Sequence, residues 1–356
     1  MRFFQSKSPD ALGLTQVRYE KAASVARVTI ARPQAHNAYT TRTLEELTAA
    51  LRDAAQDDAV GVIVITGQGD RAFCTGGDVK EYAEEYVRRP RDYWKYMGLF
   101  RGYIEAILDS GKPTIARVNG MAVGGGNETH LACDLSVMAE HAYLRQVGTH
   151  VGSVAAGGAT QWLPLHVGDR RAREILLLNR PIPPRQALEW GLTNRVVPSV
   201  TKDGAWIEGA TPEQIRAAQE KRDGYALSLA RLDEAVNELA AALLESFPEC
   251  ARYTKEQTNF LKGFVWHSTV GHAREWLSLH FACGEPFEGM RAFVEKRPAR
   301  YGETRDRAAK DLGPETPWGA FVSRCPACGA EGLPSRFEFC GKCGARLIVP
   351  AAEAVR

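Results

Sequence analysis

Apolar and polar positions divide the first part of the chain into strands and helices. Val17 to Arg32 alternates apolar and polar residues around a short Ala-Ala-Ser turn, which predicts a β-hairpin. Thr43 to Gln56 has helical periodicity instead. The almost wholly apolar run GVIVITG, ending at Gly67, is typical of a strand buried on both faces of a mainly parallel sheet.

The alternation of strands and helices continues along the chain. Thr114 to Val118 and Asp134 to Met138 are shorter apolar runs, and helical patterns occur over Tyr93 to Ile107 and Glu128 to Ala132. Strands that alternate with helices form repeated β-α units with right-handed crossovers. We therefore expect an α/β fold, with its core in residues 1–198.

The rest of the chain changes character several times. The polar stretch at 199–225 predicts a turn and an exposed helix inserted between core elements, and the charged, Gly- and Pro-rich stretch at 297–320 predicts a linker. Residues 226–296 predict a helical region, and residues 321–350 form a cysteine module. The helices expected in that region are Leu229 to Leu244, Pro248 to Leu261 and Ser268 to Cys283.

Composition and charge narrow the possible partners. The chain has 356 residues, 44% of them hydrophobic, which is enough for a sizeable core. The formal charge of +2, from 45 basic and 43 acidic residues, gives no field that favours nucleic acid or membrane as the main partner. The N-terminus lacks the apolar segment of a secretory signal, so we expect a cytoplasmic protein that recognises a small ligand.

Four of the eight cysteines form two CxxC pairs, Cys325 with Cys328 and Cys340 with Cys343. Two such pairs eleven residues apart, with a glycine after each, are typical of a tetrahedral zinc ribbon. Because all four positions would be filled by thiolates, we expect a structural zinc and not a hydrolytic centre. Few basic residues accompany the module, which favours a structural or oligomer-capping role over nucleic-acid binding.

Two glycine-rich loops carry the candidate chemistry. The first, Arg71 to Asp78, follows the GVIVITG strand and contains Gly76 and Gly77. The second, Asn119 to Glu128, follows a strand and opens a helix with three consecutive glycines. Glycines let the backbone approach a ligand, and a helix N-terminus presents free N–H donors.

In this order the two loops resemble those of the crotonase (enoyl-CoA hydratase/isomerase) superfamily. The similarity extends from Val17 to Arg297 and includes GKPTIARVNG, LACDLSV and EGMRAFVEKR. It implies a ClpP/crotonase-like spiral of β-β-α units with a C-terminal helical trimerisation region, assembled as a homotrimer or a dimer of trimers. The N–H groups of Gly77 and Gly125 would form an oxyanion hole for the thioester carbonyl of an acyl-coenzyme A substrate.

The resemblance also indicates which catalytic carboxylates of related enzymes this chain retains and which it lacks. Glu128 matches the first of the two catalytic glutamates of enoyl-CoA hydratases, whereas Gly148 stands at the position of the second. Ala155 stands where dihydroxynaphthoyl-CoA synthases and ketocyclohexanecarboxyl-CoA hydrolases carry a catalytic aspartate. Two-glutamate hydration and both of those activities are therefore poor fits.

The chain is most similar to the 6-oxocyclohex-1-ene-1-carbonyl-CoA hydrolases, through NAYTT, AFCTGGDVKEYAEEY, RPRDYWKYMGLF, GSVAAGGAT and SFPEC. The resemblance implies that water adds to the conjugated ring double bond and that the carbon–carbon bond beside the ring ketone is then hydrolysed, giving 3-hydroxypimeloyl-CoA. The alternatives are an enoyl-CoA hydratase or isomerase for another acyl-CoA, and a non-catalytic acyl-CoA-binding subunit.

A second acid/base residue is required near the ring ketone, and the candidates are His150, His130, Tyr39 and Asp78, with neutral histidine suited to neutral pH. His130 lies two residues after Glu128, about 200° around the helix, so a core position or a subunit contact is the better interpretation for it.

Coenzyme A contacts are expected from two parts of the chain. The resemblance implies that the backbone near Ala72 contacts the adenine. It also implies that Phe293 and Lys296, often supplied by a neighbouring subunit, reach the cofactor.

Overall fold

The computed structural model describes residues 6–310 and 323–347. Residues 311–320 of the expected linker, and residues 321–322 and 348–350 of the expected cysteine module, lie outside the described residues. The strands are β1 (Val17–Ala22), β2 (Val25–Ile30), β3 (Val62–Gly67), β4 (Ala72–Cys74), β5 (Thr114–Val118), β6 (Met121–Val123), β7 (Leu135–Ala139), β8 (Leu144–Arg145), β9 (Arg195–Val197), β10 (Val200–Lys202), β11 (Ala205–Ile207) and β12 (Tyr225–Leu227).

Helices cover the strands and form most of the C-terminal half. They are α1 (Thr41–Gln56), α2 (Val79–Glu81), α3 (Pro90–Leu108), α4 (Gly125–Ala132), α5 (Ala159–Val167), α6 (Asp169–Leu178), α7 (Pro184–Glu189), α8 (Pro212–Gln219), α9 (Ala230–Leu244), α10 (Pro248–His280), α11 (Gly284–Val294) and α12 (Glu303–Ala309). The α/β class expected from the sequence is confirmed.

The main sheet has the strand order β1-β2-β3-β5-β7-β9. Strands β1 and β2 are the expected antiparallel hairpin, and its turn residues Ala23 and Ser24 both have positive φ, as the twist of a two-residue hairpin requires. The other strand pairs are parallel. Every residue of β3 is buried, so the GVIVITG strand lies at the centre of the core as predicted.

A second, smaller sheet brings the two glycine loops together. Strands β4, β6 and β8 are parallel and lie in that order. The loop containing Gly76 and Gly77 follows β4, and the loop containing Gly124 and Gly125 follows β6. Because the carboxyl ends of neighbouring parallel strands lie at the same edge, the topology sets both loops side by side.

Helix α3 supplies an aromatic wall beside these loops. Its buried residues Tyr93, Tyr96, Phe100 and Tyr103 recur at intervals of three and four residues, the spacing of one helix face. This face belongs to the main hydrophobic core. Helix α3 therefore places a row of aromatic side chains next to the glycine loops.

The C-terminal helices differ from the expectation in one respect. The two helices predicted at Pro248 to Leu261 and Ser268 to Cys283 are a single 33-residue helix, α10. Gly263 weakens a helix by only about 1 kcal/mol and does not end it, and the fully buried Trp266 packs against Trp162 at the middle of α10. In the ranges given above, no helix is both long and apolar enough to cross a membrane.

The insertion and the linker also contain more structure than predicted. Residues 199–225 include the expected helix, α8, together with strands β10 and β11, which form a three-stranded sheet with β12 in the order β11-β10-β12. Strands of three residues are too short to show alternation. The expected linker contains the helix α12. At the start of the linker, Arg297 forms an ion pair with Glu288 of α11 at 2.6 Å. Residues 297–310 are therefore not an extended connection.

Candidate active site

A cavity of about 850 Å³ lies where the two glycine loops meet the aromatic wall of α3. Most of the candidate residues from the sequence line it together, although they come from distant parts of the chain: Tyr39, Gly77, Asp78, Gly125, Glu128, His150, Phe293 and Lys296. A single cavity with few polar groups on a largely apolar surface is the usual form of a small-molecule site.

The first glycine loop is fixed by the segment that contains Tyr39. The Tyr39 N–H donates to the Gly76 carbonyl, and the Asp78 N–H donates to the Tyr39 carbonyl, both at 2.9 Å. In this parallel bridge the N–H of Gly77 points away from Tyr39. Gly76 has φ +86°, which requires glycine, and a Cβ on it would lie 2.9 Å from the Gly125 nitrogen.

The second donor comes from the N-terminus of α4. Gly125 is the first residue of that helix, so its N–H has no intrahelical partner. Within residues 6–310, no backbone carbonyl accepts from the N–H of Gly77 or Gly125. Two free N–H groups beside a helix N-terminus can stabilise a negatively charged oxygen, because donors and dipole are already oriented.

Glu128 lies in the first turn of α4, is 5% exposed and faces the same cavity. Its Oε1 accepts hydrogen bonds from the N–H groups of Gly157 at 2.8 Å and Ala159 at 3.3 Å. Burial raises the pKa of this carboxyl to about 7, although the two N–H groups act in the opposite direction. A carboxyl with this pKa can take up and return a proton near neutral pH.

Backbone packs closely around Gly148, the position of the missing second glutamate. A Cβ on Gly148 would lie 3.0 Å from the Ser153 carbonyl oxygen and 3.2 Å from the Ala155 nitrogen, so a side chain there would require the 153–155 loop to shift by a few tenths of an ångström. The carboxylates that line the cavity are those of Glu128 and Asp78. A pair of glutamates sharing one water is therefore not the arrangement of this site.

Asp78 has several partners already. Its carboxylate pairs with Arg32 at 3.0 Å and accepts from the N–H groups of Lys80 and Glu81 as the N-cap of α2. Hydrogen bonds of this kind hold the first turn of a helix. The side chain lines the cavity, but its contacts are those of a residue that positions the first glycine loop.

The two candidate histidines lie in different environments. His150 is exposed, next to Tyr301 at a ring-centroid distance of 5.8 Å, on the wall of the cavity. His130 is buried outside the cavity, and its Nε2 pairs with Ser136 Oγ at 2.9 Å. Burial lowers the pKa of His130 to about 3, so the ring is neutral. The core position preferred for His130 agrees with this geometry.

Tyr39 is 3% exposed, and its hydroxyl lies against the second glycine loop. A Cβ on Gly125 would be 1.7 Å from the Tyr39 oxygen, so the two residues are in direct contact. The Tyr39 ring stacks on Phe100 at 5.5 Å between centroids. Burial raises the pKa of Tyr39 well above its ordinary value, so the hydroxyl stays protonated and can only donate or accept a hydrogen bond.

The structure places the residues expected to contact coenzyme A in two different environments. Phe293, which is 60% exposed, and Lys296 line the cavity of their own chain near its α11 side. Ala72 is buried outside the cavity, and its carbonyl accepts from the side-chain amides of Asn37 at 2.7 Å and Asn119 at 3.0 Å. Both lone pairs are thereby used, so the Ala72 carbonyl is not available to an adenine amino group.

Several residues that shape the site were not found from the sequence. Gly157 anchors Glu128, and a Cβ on it would collide with Phe100. Tyr82 and Tyr93 line the cavity from α3 and the segment before it. The clustered aromatic residues of KEYAEEY and RDYWKYMGLF were the available signal, because they recur at helical spacing beside the first glycine loop.

The cysteine module forms a compact four-sulfur cluster. The ligand atoms of Cys325, Cys328, Cys340 and Cys343 all lie within 4.8 Å of one another. Cys325 and Cys343, and likewise Cys328 and Cys340, have sulfur–sulfur distances of 3.7 Å. Tetrahedral zinc with Zn–S bonds of about 2.3 Å would require sulfur separations of about 3.8 Å. The four residues therefore fit zinc.

Comparison with known proteins places the chain among acyl-CoA enzymes. The family model for enoyl-CoA hydratase/isomerase matches residues 20–304, which stops before the cysteine module. A 6-oxocyclohex-1-ene-1-carbonyl-CoA hydrolase from Geobacter metallireducens is 37% identical over 283 residues, or 74% of each chain. The enzyme of the same name from Thauera aromatica is 35% identical over 316 residues, or 82% of each chain.

Solved structures agree with this relationship. An enoyl-CoA hydratase/isomerase from Mycobacterium paratuberculosis has a TM-score of 0.65 at 25% identity, and the match covers 80% of this chain and 98% of the other. An enoyl-CoA hydratase/isomerase from Xanthobacter autotrophicus has a TM-score of 0.64 at 27% identity, covering 83% and 96%. The crotonase-type fold expected from the sequence is confirmed.

Proposed function

From the premise that the chain belongs to the enoyl-CoA hydratase/isomerase family, we propose that it opens the ring of a cyclic oxo-enoyl-CoA such as 6-oxocyclohex-1-ene-1-carbonyl-CoA by hydrolysis. The observation that carries the proposal is the composition of the cavity. Two free N–H donors, from Gly77 and Gly125, lie beside one buried carboxyl with a pKa of about 7, that of Glu128.

The first step is the addition of water to the ring double bond. In the substrate named above, one alkene carbon carries both the thioester and the ring ketone. Glu128 takes a proton from water while the water oxygen bonds to the β-carbon. The electron pair of the double bond moves to the thioester oxygen, which accepts hydrogen bonds from the N–H groups of Gly77 and Gly125. Glu128 then returns the proton to the α-carbon, so one carboxyl serves as base and acid.

The second step uses the same groups. The hydrated product is a β-keto thioester, because the ketone carbon is bonded to the α-carbon. Glu128 takes a proton from a second water, which attacks the ring ketone. Cleavage of the bond between the ketone carbon and the α-carbon leaves a thioester enolate, stabilised again by Gly77 and Gly125. Protonation of the α-carbon gives 3-hydroxypimeloyl-CoA.

The remaining candidates have more limited roles in this proposal. Tyr39, as a neutral hydroxyl against Gly125, is suited to hydrogen bond the thioester or its water. Asp78 holds the first glycine loop through its N-cap contacts. His150 lies on the exposed part of the wall with Phe293 and Lys296, a position suited to the coenzyme A moiety and not to the ring.

A second candidate function is hydration or isomerisation of another enoyl-CoA. It is favoured by the solved structures, which are hydratases and isomerases, and it would need only the two N–H donors and Glu128. The two functions differ in the number of waters that enter the product.

Mass spectrometry of the products distinguishes the two functions. The protein is incubated with 6-oxocyclohex-1-ene-1-carbonyl-CoA and, in parallel, with a linear enoyl-CoA. We expect the cyclic substrate to gain two waters and the linear one to react far more slowly. Gain of a single water by both substrates would support the hydratase. Unchanged masses in every incubation would contradict ring opening and hydration, because only isomerisation leaves the mass unchanged.

We propose that the subunits assemble as a homotrimer or a dimer of trimers. Support comes from the large apolar side chains exposed on α10 and just before it, Phe247 at 81%, Phe260 at 74% and Phe264 at 62%. Exposed apolar surface of this kind marks protein interfaces. Light scattering of the purified protein measures the mass, and a monomer would contradict the assembly.

We propose that the cysteine cluster binds one structural zinc ion. Gly329 and Gly344, with positive φ after the second and fourth cysteines, allow the tight turns that bring each pair together. When bound, the metal would supply folding energy to the module, on the order of 10–16 kcal/mol in isolated zinc peptides. None of the eight cysteines, all of which lie in the described residues, forms a disulfide, which supports a reducing compartment such as the cytoplasm.

Substitution of a ligand tests the zinc proposal. Cys340→Ser is expected to abolish stoichiometric zinc, measured by elemental analysis, while Cys250→Ser, at an exposed cysteine outside the cluster, retains it. Turnover of the acyl-CoA is expected to continue in both variants, since the cluster supplies no group to the cavity. Wild-type protein purified without chelator and free of zinc would contradict the proposal.

A further inference from the structure

Tyr82 is placed against the first oxyanion donor. A Cβ on Gly77 would lie 1.7 Å from the Tyr82 hydroxyl oxygen, so this hydroxyl is in contact with the backbone of Gly77. Tyr82 lines the cavity and keeps partial exposure, whereas Tyr39, at the corresponding place beside Gly125, is almost fully buried. The Tyr82 hydroxyl therefore lies beside Gly77 on the wall of the cavity.

A second tyrosine shares a hydrogen bond with this hydroxyl. The oxygens of Tyr82 and Tyr96 are 2.6 Å apart, and Tyr96 is buried in the aromatic wall. If Tyr96 donates to Tyr82, the Tyr82 hydrogen is free to point into the cavity. Burial raises the pKa of both hydroxyls above the ordinary value, so Tyr82 is a hydrogen-bond donor and not a base.

The backbone around Tyr82 is unusual as well. Tyr82–Tyr86 forms a π-helical turn that directly follows α2, and the Val87 N–H closes it on the Tyr82 carbonyl at 2.9 Å. Such turns are rare and occur often at functional sites. Here the wide turn directs Tyr82 towards Gly77, while Tyr86 of the same turn lies outside the cavity and pairs with Thr41.

We propose that Tyr82 is a catalytic residue of ring cleavage, donating its hydrogen bond to the oxygen of the ring ketone. The inference rests on the proposed function. In a β-keto thioester with both carbonyls on the same side, the ketone oxygen lies beside the thioester oxygen. Since Gly77 and Gly125 hold the thioester oxygen, the donor in contact with Gly77 meets the ketone oxygen.

The donor acts on the tetrahedral intermediate of the second step. Water adds to the ketone carbon, its proton passes to Glu128, and the former ketone oxygen becomes an oxyanion that accepts from Tyr82. When the bond to the α-carbon breaks, that oxygen becomes a carbonyl again and the electron pair moves into the thioester enolate. Glu128 returns its proton to the α-carbon, so only water is consumed. The addition of the first water places only part of the enolate charge on the ketone oxygen, whereas cleavage passes through a full oxyanion there, so cleavage depends more strongly on this donor.

Removal of the hydroxyl should therefore separate the two steps. In Tyr82→Phe, cleavage is expected to slow by about 10²-fold, the effect of losing one oxyanion donor, while hydration, in which the ketone oxygen shares only part of the enolate charge, slows by less than about tenfold. The one-water β-keto thioester should accumulate, measured by mass spectrometry over time. Tyr86→Phe, which removes a hydroxyl of the same turn outside the cavity, should behave as wild type. Tyr96→Phe should slow cleavage less than Tyr82→Phe does.

Each result bears on the inference. Equal slowing of both steps in Tyr82→Phe, or no slowing, would overturn it, provided that circular dichroism shows a folded variant. If Tyr82→Phe does not fold, Tyr82→Trp is tested instead. Its indole keeps an aromatic ring, but its N–H lies away from the position of the Tyr82 hydroxyl. This variant must then show the same accumulation of the one-water thioester. Wild-type protein that adds only one water contradicts the proposed function itself, and the role of Tyr82 falls with it.

Discussion

Replacement of Glu128 by glutamine is expected to lower kcat by about 10³-fold, within the range found for a positioned general base. Glutamine keeps the shape of the side chain, and its carbonyl oxygen can still accept from the Gly157 N–H, so KM should change little. Steady-state kinetics with the cyclic substrate measures both constants. Glu238→Gln, at an exposed glutamate paired with Arg195, is the matched control and should retain full activity.

The pH dependence gives an independent signature of the same carboxyl. The base form is needed to activate water, so wild-type kcat/KM is expected to rise with pH through about 7. The pKa of Glu128 in the folded state lies above the ordinary value of 4.5, so the folded state favours the protonated carboxyl. The free energy of unfolding therefore falls as pH rises from 4.5 through about 7, by on the order of 3 kcal/mol. Glutamine does not titrate.

Glu128→Gln should therefore gain thermal stability relative to wild type between pH 5 and pH 8, measured by melting temperature. A variant that keeps more than a tenth of the wild-type kcat would show that Glu128 is not the base. A melting difference independent of pH would show that the carboxyl is not buried in this way.

Substitution of Gly125 by alanine is expected to reduce kcat by about 10²- to 10³-fold, because it displaces one oxyanion donor. The added Cβ would lie 1.7 Å from the Tyr39 oxygen and 2.7 Å from the adjacent ring carbon. Tyr39 is buried and stacked on Phe100, so it cannot turn aside. The N-terminus of α4 must shift instead, and the Gly125 N–H moves with it.

Gly102→Ala is the matched control for this substitution. Gly102 lies within α3, and a Cβ on it would have no atom within 4 Å, so alanine should leave kcat unchanged and stabilise the helix by roughly 0.5–1 kcal/mol. Both variants are compared by kcat with the cyclic substrate and by thermal melting. Full activity in Gly125→Ala would contradict the assignment of its N–H as an oxyanion donor.

Features that depend on short stretches of sequence were predicted well. The GVIVITG strand, the hairpin around Ala23 and Ser24 and the two glycine loops each have a local signature of apolar pattern or glycine content. Because β4 and β6 are neighbouring parallel strands, these local features also determine where the cavity lies. This is why eight of the candidate residues line one site.

Features that depend on long-range contacts were not predicted. The partner of Glu128 is Gly157, 29 positions later, and nothing in the pattern around either residue indicates the pairing. The two amides that hydrogen bond to the Ala72 carbonyl were also not predicted, because Asn37 and Asn119 are distant from it in sequence. The continuity of α10 was missed because Gly263 interrupts the apolar pattern, while the packing of Trp266 on Trp162 maintains the helix.

The contacts of Tyr39 with Gly125 and of Tyr82 with Gly77 have an evolutionary consequence. Alanine also has a backbone N–H, so catalysis alone does not require glycine at positions 77 and 125. The requirement comes from the tyrosine hydroxyls that occupy the space of a Cβ. Each tyrosine–glycine pair should therefore covary: in lineages where a smaller side chain replaces the tyrosine, selection against alanine at the partner position should relax, and where the tyrosine is kept, the glycine should be invariant.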